Sequence, residues 1–137
     1  MRFPVVLHTD DGQHYGVTVP DMPGCFSAGD GLDDALSSVQ EAMDLHLEGT
    51  VEDGELLPVP GALATHQANP DYAGGVWALV EVDMSRYEGK AEKINITLPR
   101  YLLHRIDEAA KAAGSSRSGF LAFAARKAMI PEPSRTF

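Results

Sequence analysis

Lys93-Ile94-Asn95-Ile96-Thr97-Leu98, followed at once by Pro99, is the stretch on which the reading of this chain turns. Polar and apolar residues alternate strictly, so a strand here turns Ile94, Ile96 and Leu98 to one side and Lys93, Asn95 and Thr97 to the other. Pro99 ends the strand and opens a helix in which Leu102, Leu103, Ile106, Ala109, Ala110 and Ala113 form an apolar stripe, closed by Gly114. Ser116 then caps a second helix, where Phe120, Leu121, Ala124, Ala128 and Met129 recur at helical spacing. One strand and two helices bury too little surface to stand alone, and a lone strand leaves both of its edges unpaired. Pairing with the same strand of a second copy about a two-fold axis repairs both defects.

Charge changes sign where this pattern begins. Residues 1–92 carry three Lys and Arg against seventeen Asp and Glu, and residues 93–137 carry eight against three. The chain as a whole is acidic, at −9, but its last part is a cationic module; two opposite fields imply two different partners. A paired ribbon carrying two copies of Lys93, Asn95 and Thr97 is narrow enough for a DNA major groove. Ser116, Arg117 and Ser118 open the second helix, where backbone N–H groups suit a phosphate. The dimer core would be Ile94, Ile96, Leu98, Ile106, Phe120 and Leu121.

The N-terminal half reads as a small α+β unit. Phe3–Thr9 and Tyr15–Val19 are strand candidates joined across Asp11-Gly12, a hairpin signal. Cys25–Ser27 is long enough for a third strand, and Asp30 reads as the N-cap of a helix running from Leu32 to Glu48 and stopping at Gly49. Asp33 and Asp34 suit its first turn, and Leu32, Leu36, Val39, Met43 and Leu47 share one face. Residues 50–74 have loop composition with one short helix around Gly61–His66, and Val76–Val82 returns as a strand. This order predicts a three- or four-stranded antiparallel sheet with one helix across a face. Ser85–Glu92 is polar and contains Gly89, which gives a division into residues 1–88, a linker at 89–92, the DNA-binding module at 93–130 and a tail at 131–137.

The segment 93–129, KINITLPRYLLHRIDEAAKAAGSSRSGFLAFAARKAM, resembles a ribbon-helix-helix DNA-binding domain in its LP after the strand, its ID in the first helix and its SRS opening the second. Residues 1–88, above all VPDMPGCFSAGDGLDDAL, resemble the N-terminal domain of HicB antitoxins. The resemblance implies a partial ribonuclease H-like sheet, a basic mRNA-cleaving HicA-like toxin as protein partner, operator DNA as second partner, and a homodimer, or dimer of dimers, that represses its own operon in the cytoplasm. Asp21, Met22, Asp30, Asp33 and Asp34 are then the candidates for toxin contact. Gly119 departs from the pattern, because a longer polar residue forms helix better there.

Other functions are poorly supported. The aspartates fall in turns and at a helix start, not in the middle of a strand where metal-dependent nucleases place a ligand, so neither catalysis nor a cofactor is expected. His8, His14, His46, His66 and His104 lack close metal-ligand spacing, and Cys25 has no second cysteine beside it. No metal site is expected. No apolar run approaches the ~20 residues that span a bilayer, and the opening residues do not read as a signal peptide. The alternative is a repressor of the same C-terminal design whose N-terminal unit senses a ligand or metal.

Overall fold

A computed structural model of the chain describes residues 1–130, which form two compact units, Met1–Lys90 and a second beginning at Ala91. The tail expected at residues 131–137 lies outside the described residues.

The first unit is a four-stranded antiparallel sheet of β1 (Arg2–His8), β2 (His14–Thr18), β3 (Phe26–Asp30) and β4 (Val76–Glu81), in the order β3-β2-β1-β4. Phe3, Val5 and Leu7 of β1 alternate with Pro4, Val6 and His8, so one face receives a helix. Pro4 is tolerated in this central strand because the register Val6↔Thr18 puts it opposite Pro20, past the end of β2, where no ladder bond is lost. In the β1–β2 turn, Asp11 Oδ1 accepts from the N–H groups of Gln13 and His14, both at 2.8 Å. Helix α1 (Leu32–Glu52) lies across the sheet and buries Ala35, Val39, Met43 and Leu47 against Phe3, Val5, Leu7, Val17, Val80 and Val82.

The boundaries of α1 differ from expectation at both ends. Asp30 closes β3 and is not the cap; Gly31 holds the N-cap position at φ 91°, and the Asp34 carboxylate reaches back to the Asp30 N–H at 2.8 Å. Gly49 does not stop the helix, since the chain stays helical to Glu52 and Gly54 takes the left-handed turn. Glu55 N–H then bonds the Thr50 carbonyl and Gly54 N–H the Val51 carbonyl, satisfying the last turn. Leu32, placed on the apolar face by its spacing, is 46% exposed, and Ala35 occupies the core instead. The early third strand, expected at Cys25–Ser27, runs Phe26–Asp30; Cys25 itself is buried.

Between α1 and β4 run helix α2 (Leu63–Gln67) and a 3-10 turn (Pro70–Tyr72). The polar stretch from Ser85 is less of a linker than its composition indicates. Ser85–Glu88 is a short helix, α3, anchored by buried Met84, while Tyr87 packs on the core and donates its hydroxyl hydrogen to Asp44 of α1.

In the second unit, residues 93–98 form no hydrogen-bonded strand within the chain. Helix α4 (Arg100–Ala112) and helix α5 (Arg117–Met129) follow, and α4 buries Ile106 and Ala110. Gly114, at φ 68°, ends α4 with the Ser115 N–H on the Ala110 carbonyl at 2.8 Å. Leu102 and Ala113, read as part of the buried stripe, are exposed in the single chain, and so are Ala128 and Met129 of α5.

Gly29 gives a sharp test of the packing of α1 on β3, because a Cβ there would lie 2.4 Å from the Ala35 nitrogen, a backbone atom that cannot swing away. Gly29→Ala should destabilise the first unit by roughly 1–3 kcal/mol in urea denaturation, the usual cost of overpacking. Gly16→Ala, where the added methyl meets nothing within 4 Å, should change stability by less than about 0.5 kcal/mol.

Candidate functional site

Residues 93–98 lie in a segment without hydrogen-bonded strand structure, and in the single chain its apolar and polar positions are exposed alike up to Thr97. Ile94 is 74% exposed and Ile96 57%, while Leu98 is half-buried; Lys93, Asn95 and Thr97 are all exposed. Two large aliphatic side chains left in water on a segment without ladder bonds are an unfinished surface. Ile106 is buried within the unit, and Phe120 and Leu121 are half-buried.

At the start of α5 the Ser116 hydroxyl accepts from the Gly119 N–H at 3.0 Å, a cap of the kind expected, and Gly119 belongs to the turn that this cap fixes. A Cβ at Gly119 would lie 2.7 Å from the Ser115 hydroxyl, an exposed side-chain oxygen that can turn aside. The first backbone bond of α5 runs from the Phe120 N–H to the Ser116 carbonyl, so the N–H groups of Arg117 and Ser118 precede the helical ladder. Arg117 itself is engaged elsewhere. Its guanidinium forks onto Asp107 of α4, with Nε and Nη2 both at 2.8 Å from the carboxylate oxygens. The SRS and ID motifs are thus two halves of one bidentate brace between the helices. As a phosphate ligand, therefore, the Arg117 side chain is already occupied, and Ser116 gives its hydroxyl to its own helix. The Arg117 guanidinium holds the Asp107 carboxyl below its ordinary range.

In the first unit the five residues picked for protein contact have different fates. Met22 is fully buried in the core and offers no contact surface. Asp21 is nine-tenths buried: its Oδ1 accepts from the Gly61 N–H at 3.0 Å and pairs with His66 Nε2 at 2.9 Å, and its Oδ2 has no hydrogen-bond partner. Asp30, Asp33 and Asp34 are exposed, with Asp30 3.3 Å from His14 Nε2. His14 also meets Asp11 at 2.6 Å, a contact that lowers the Asp11 carboxyl and raises the His14 imidazole above its ordinary value.

Sequence reasoning missed the Asp21–His66 pair, which fastens the long connection after α1 to the loop after β2. His66 stacks on Trp77 of β4 at 6.4 Å, and Tyr72 meets the same indole edge-on at 5.7 Å. Forty-five residues separate Asp21 from His66, and no local pattern signals such a pairing. It also missed the Tyr87–Asp44 bond, where burial above all, then Asp44, pushes the phenol up to about 12.

Among the described residues no group of three or more His, Cys, Asp or Glu side chains is arranged to hold a metal ion, and no helix is long and apolar enough to cross a membrane. The fold and surfaces define a small α+β protein of two units, one with a closed sheet-and-helix core and one left unfinished. Residues 3–125 match the family model described as "HicB_like antitoxin of bacterial toxin-antitoxin system". The chain belongs to this family, whose members are antitoxins and not enzymes.

Among solved structures, the chain is similar to the Burkholderia pseudomallei antitoxin HicB, with 46% identity, coverage of 95% of this chain and 99% of that one, and a TM-score of 0.69. It is also similar to antitoxin HicB3, with 32% identity, coverage of 96% and 100% and a TM-score of 0.81. A chain in a HicA3 and HicB3 toxin-antitoxin complex is 28% identical and matches 61% of this chain and 99% of its own length, at a TM-score of 0.52.

The Asp107–Arg117 brace makes a pH-dependent prediction. Asp107→Ala and Arg117→Ala should each lower the melting temperature, and the double variant should lower it by less than the sum of the two. A carboxyl depressed in the folded state contributes stability above the ordinary aspartate range and loses it as pH falls through the depressed value. The coupling measured in the double-mutant cycle should therefore be present at pH 7 and vanish in strong acid.

Proposed function

We propose that this antitoxin neutralises a HicA-like toxin through residues 1–88 and represses its own operon through residues 93–130, folded as a ribbon-helix-helix dimer in the cytoplasm. The observation that carries the second half is the segment 93–98, whose Ile94 and Ile96 are exposed and whose backbone lacks a ladder. In this reading a second copy supplies the missing strand, Ile94, Ile96 and Leu98 turn inward with Ile106, Phe120 and Leu121, and Lys93, Asn95 and Thr97 remain on the outer face to read base edges. The Arg117 and Ser118 N–H groups then face phosphate, and the Asp107–Arg117 brace keeps α5 aimed at it. Assembly into a dimer of dimers would let one protein hold two half-sites.

The toxin half rests on family membership and on the HicA3 and HicB3 complex among the structural neighbours. In this reading the first unit is a partial ribonuclease H-like sheet used as a scaffold for protein contact. Its surplus of carboxylates complements a protein built to hold RNA. Exposed Asp30, Asp33 and Asp34 remain candidates for that contact; Met22 and Asp21 act by shaping the loop that precedes them.

Removing residues 91–137 should preserve neutralisation of the toxin in a growth-rescue assay and abolish operator binding; a folded 1–90 fragment that no longer rescues growth would refute the division of labour. Replacing Asn95 or Thr97 by Ala should weaken operator binding by roughly 1–3 kcal/mol and leave binding to random DNA nearly unchanged. Equal losses on both DNAs, read by fluorescence anisotropy, would mean that these side chains do not read bases.

A further inference from the structure

Of the two sheet edges in the first unit, one is obstructed and the other is open. On β3, the Asp34 carboxylate occupies the N–H of Asp30, and the first turn of α1 lies so close that Gly29 has no room for a Cβ. On β4 the ladder can be assigned residue by residue. The Val82 N–H donates to the Met1 carbonyl at 2.8 Å, and bonded pairs alternate along an antiparallel ladder, so Ala78 and Val80 direct their backbone groups to β1. The N–H and C=O groups of Trp77 and Leu79 therefore point away from the sheet. From Val76 to Val80 the strand has no proline, no lysine and no other charge, the first charge being Glu81 at its end, and Val76 and Leu79 are 54% and 53% exposed.

We infer that the open edge of β4 is where the protein partner of the first unit adds a strand, extending the sheet beyond Leu79. This rests on the toxin-binding reading and gives it a main-chain contact at the edge opposite β3, separate from any side-chain contact at Asp30, Asp33 and Asp34. Six residues of edge accommodate a short extended segment, with main-chain bonds at Trp77 and Leu79 and one apolar side chain laid beside Leu79. Charge selects the occupant. Residues 1–90 hold sixteen Asp and Glu against three Lys and Arg, so a second copy of this unit would bring like charge to the edge, whereas a strand flanked by Lys or Arg meets a complementary field.

Amide exchange by NMR on the full chain, with and without an inactivated HicA-like toxin from the neighbouring reading frame, tests the inference. The Trp77 and Leu79 amides should exchange fast in the free chain and at least ~100-fold slower in the complex, because added ladder bonds close them. Those of Ala78 and Val80 should be slow in both. Leu79→Pro, which deletes an outward N–H and no internal one, should weaken toxin binding by ~10-fold or more, and so should Leu79→Lys, which keeps the backbone intact. Leu45→Lys, an equally large charge change on the outward side of α1, should leave affinity within ~3-fold. Toxin binding that leaves the Trp77 and Leu79 amides unprotected, or folded Leu79 variants that bind like the parent, would overturn the edge as the docking site while leaving toxin binding intact. Leu79 amides protected without toxin, with an oligomer that Leu79→Lys dissociates, would assign the edge to a second copy instead. A parent chain that binds no toxin would overturn the toxin reading and this inference with it.

Discussion

A β-strand cannot satisfy its own backbone, and much of this structure follows from that constraint. In the first unit three ladders pair β1 and β2 on both sides, although β2 covers only Val6–His8 of β1, and leave one side each of β3 and β4. In the second unit residues 93–98 have the side-chain pattern of a strand and no ladder at all. The two units stand at different stages of completion. The sheet with α1 has a full core, from Phe3 and Leu7 to Met43 and Leu47, all 0–1% exposed. Among its described residues the cationic unit buries two, Ile106 and Ala110, and exposes Ile94 and Ile96. A unit that keeps aliphatic side chains in water until a partner arrives is suited to regulated assembly, since its stability depends on concentration.

Electrostatics divides the chain in the same place. The first unit lies far on the acidic side, and several of its carboxylates are held by local contacts: Asp11 by His14 and two N–H groups, Glu81 by the N-terminal amine and Arg2, Asp44 by Tyr87. These are exposed or partly exposed bonds that fix turns and termini and add little to stability individually. In the second unit the Asp107–Arg117 fork sets the angle between two helices that share a small core. Its role is geometric: bidentate pairing fixes orientation in a way a single contact does not.

The element order and the α+β class were legible in the sequence because each rests on local signals: period-two alternation in β1, 3.6-residue spacing in α1, Pro99 and Gly114 around α4, the Ser116 hydroxyl before α5. Boundaries that depend on tertiary contact were not. Gly49 looks like a helix stop, yet the Val51 and Thr50 carbonyls find partners only when the chain continues to Gly54. Ser85–Glu88 looks like a linker by composition, and only the packing of Met84 and Tyr87 on α1 shows otherwise. For the site, alternation at 93–98 sets Lys93, Asn95 and Thr97 apart from Ile94 and Ile96, but in the single chain all five are exposed; Met22, flanked by Asp21 and Pro23, gave no sign that it was a core residue. The engagement of Arg117 by Asp107, ten residues away across a turn, was likewise invisible to composition.

The central claim is that residues 93–98 are completed by the same residues of a second copy. An equimolar mixture of isotope-labelled and unlabelled full-length chain, read by isotope-filtered NOE, tests it directly. The account predicts contacts between chains that relate Ile94, Ile96 and Leu98 in antiparallel register about a two-fold axis. A chain that stays monomeric at NMR concentration, with the 93–98 amides exchanging freely and no NOE between chains, would contradict it.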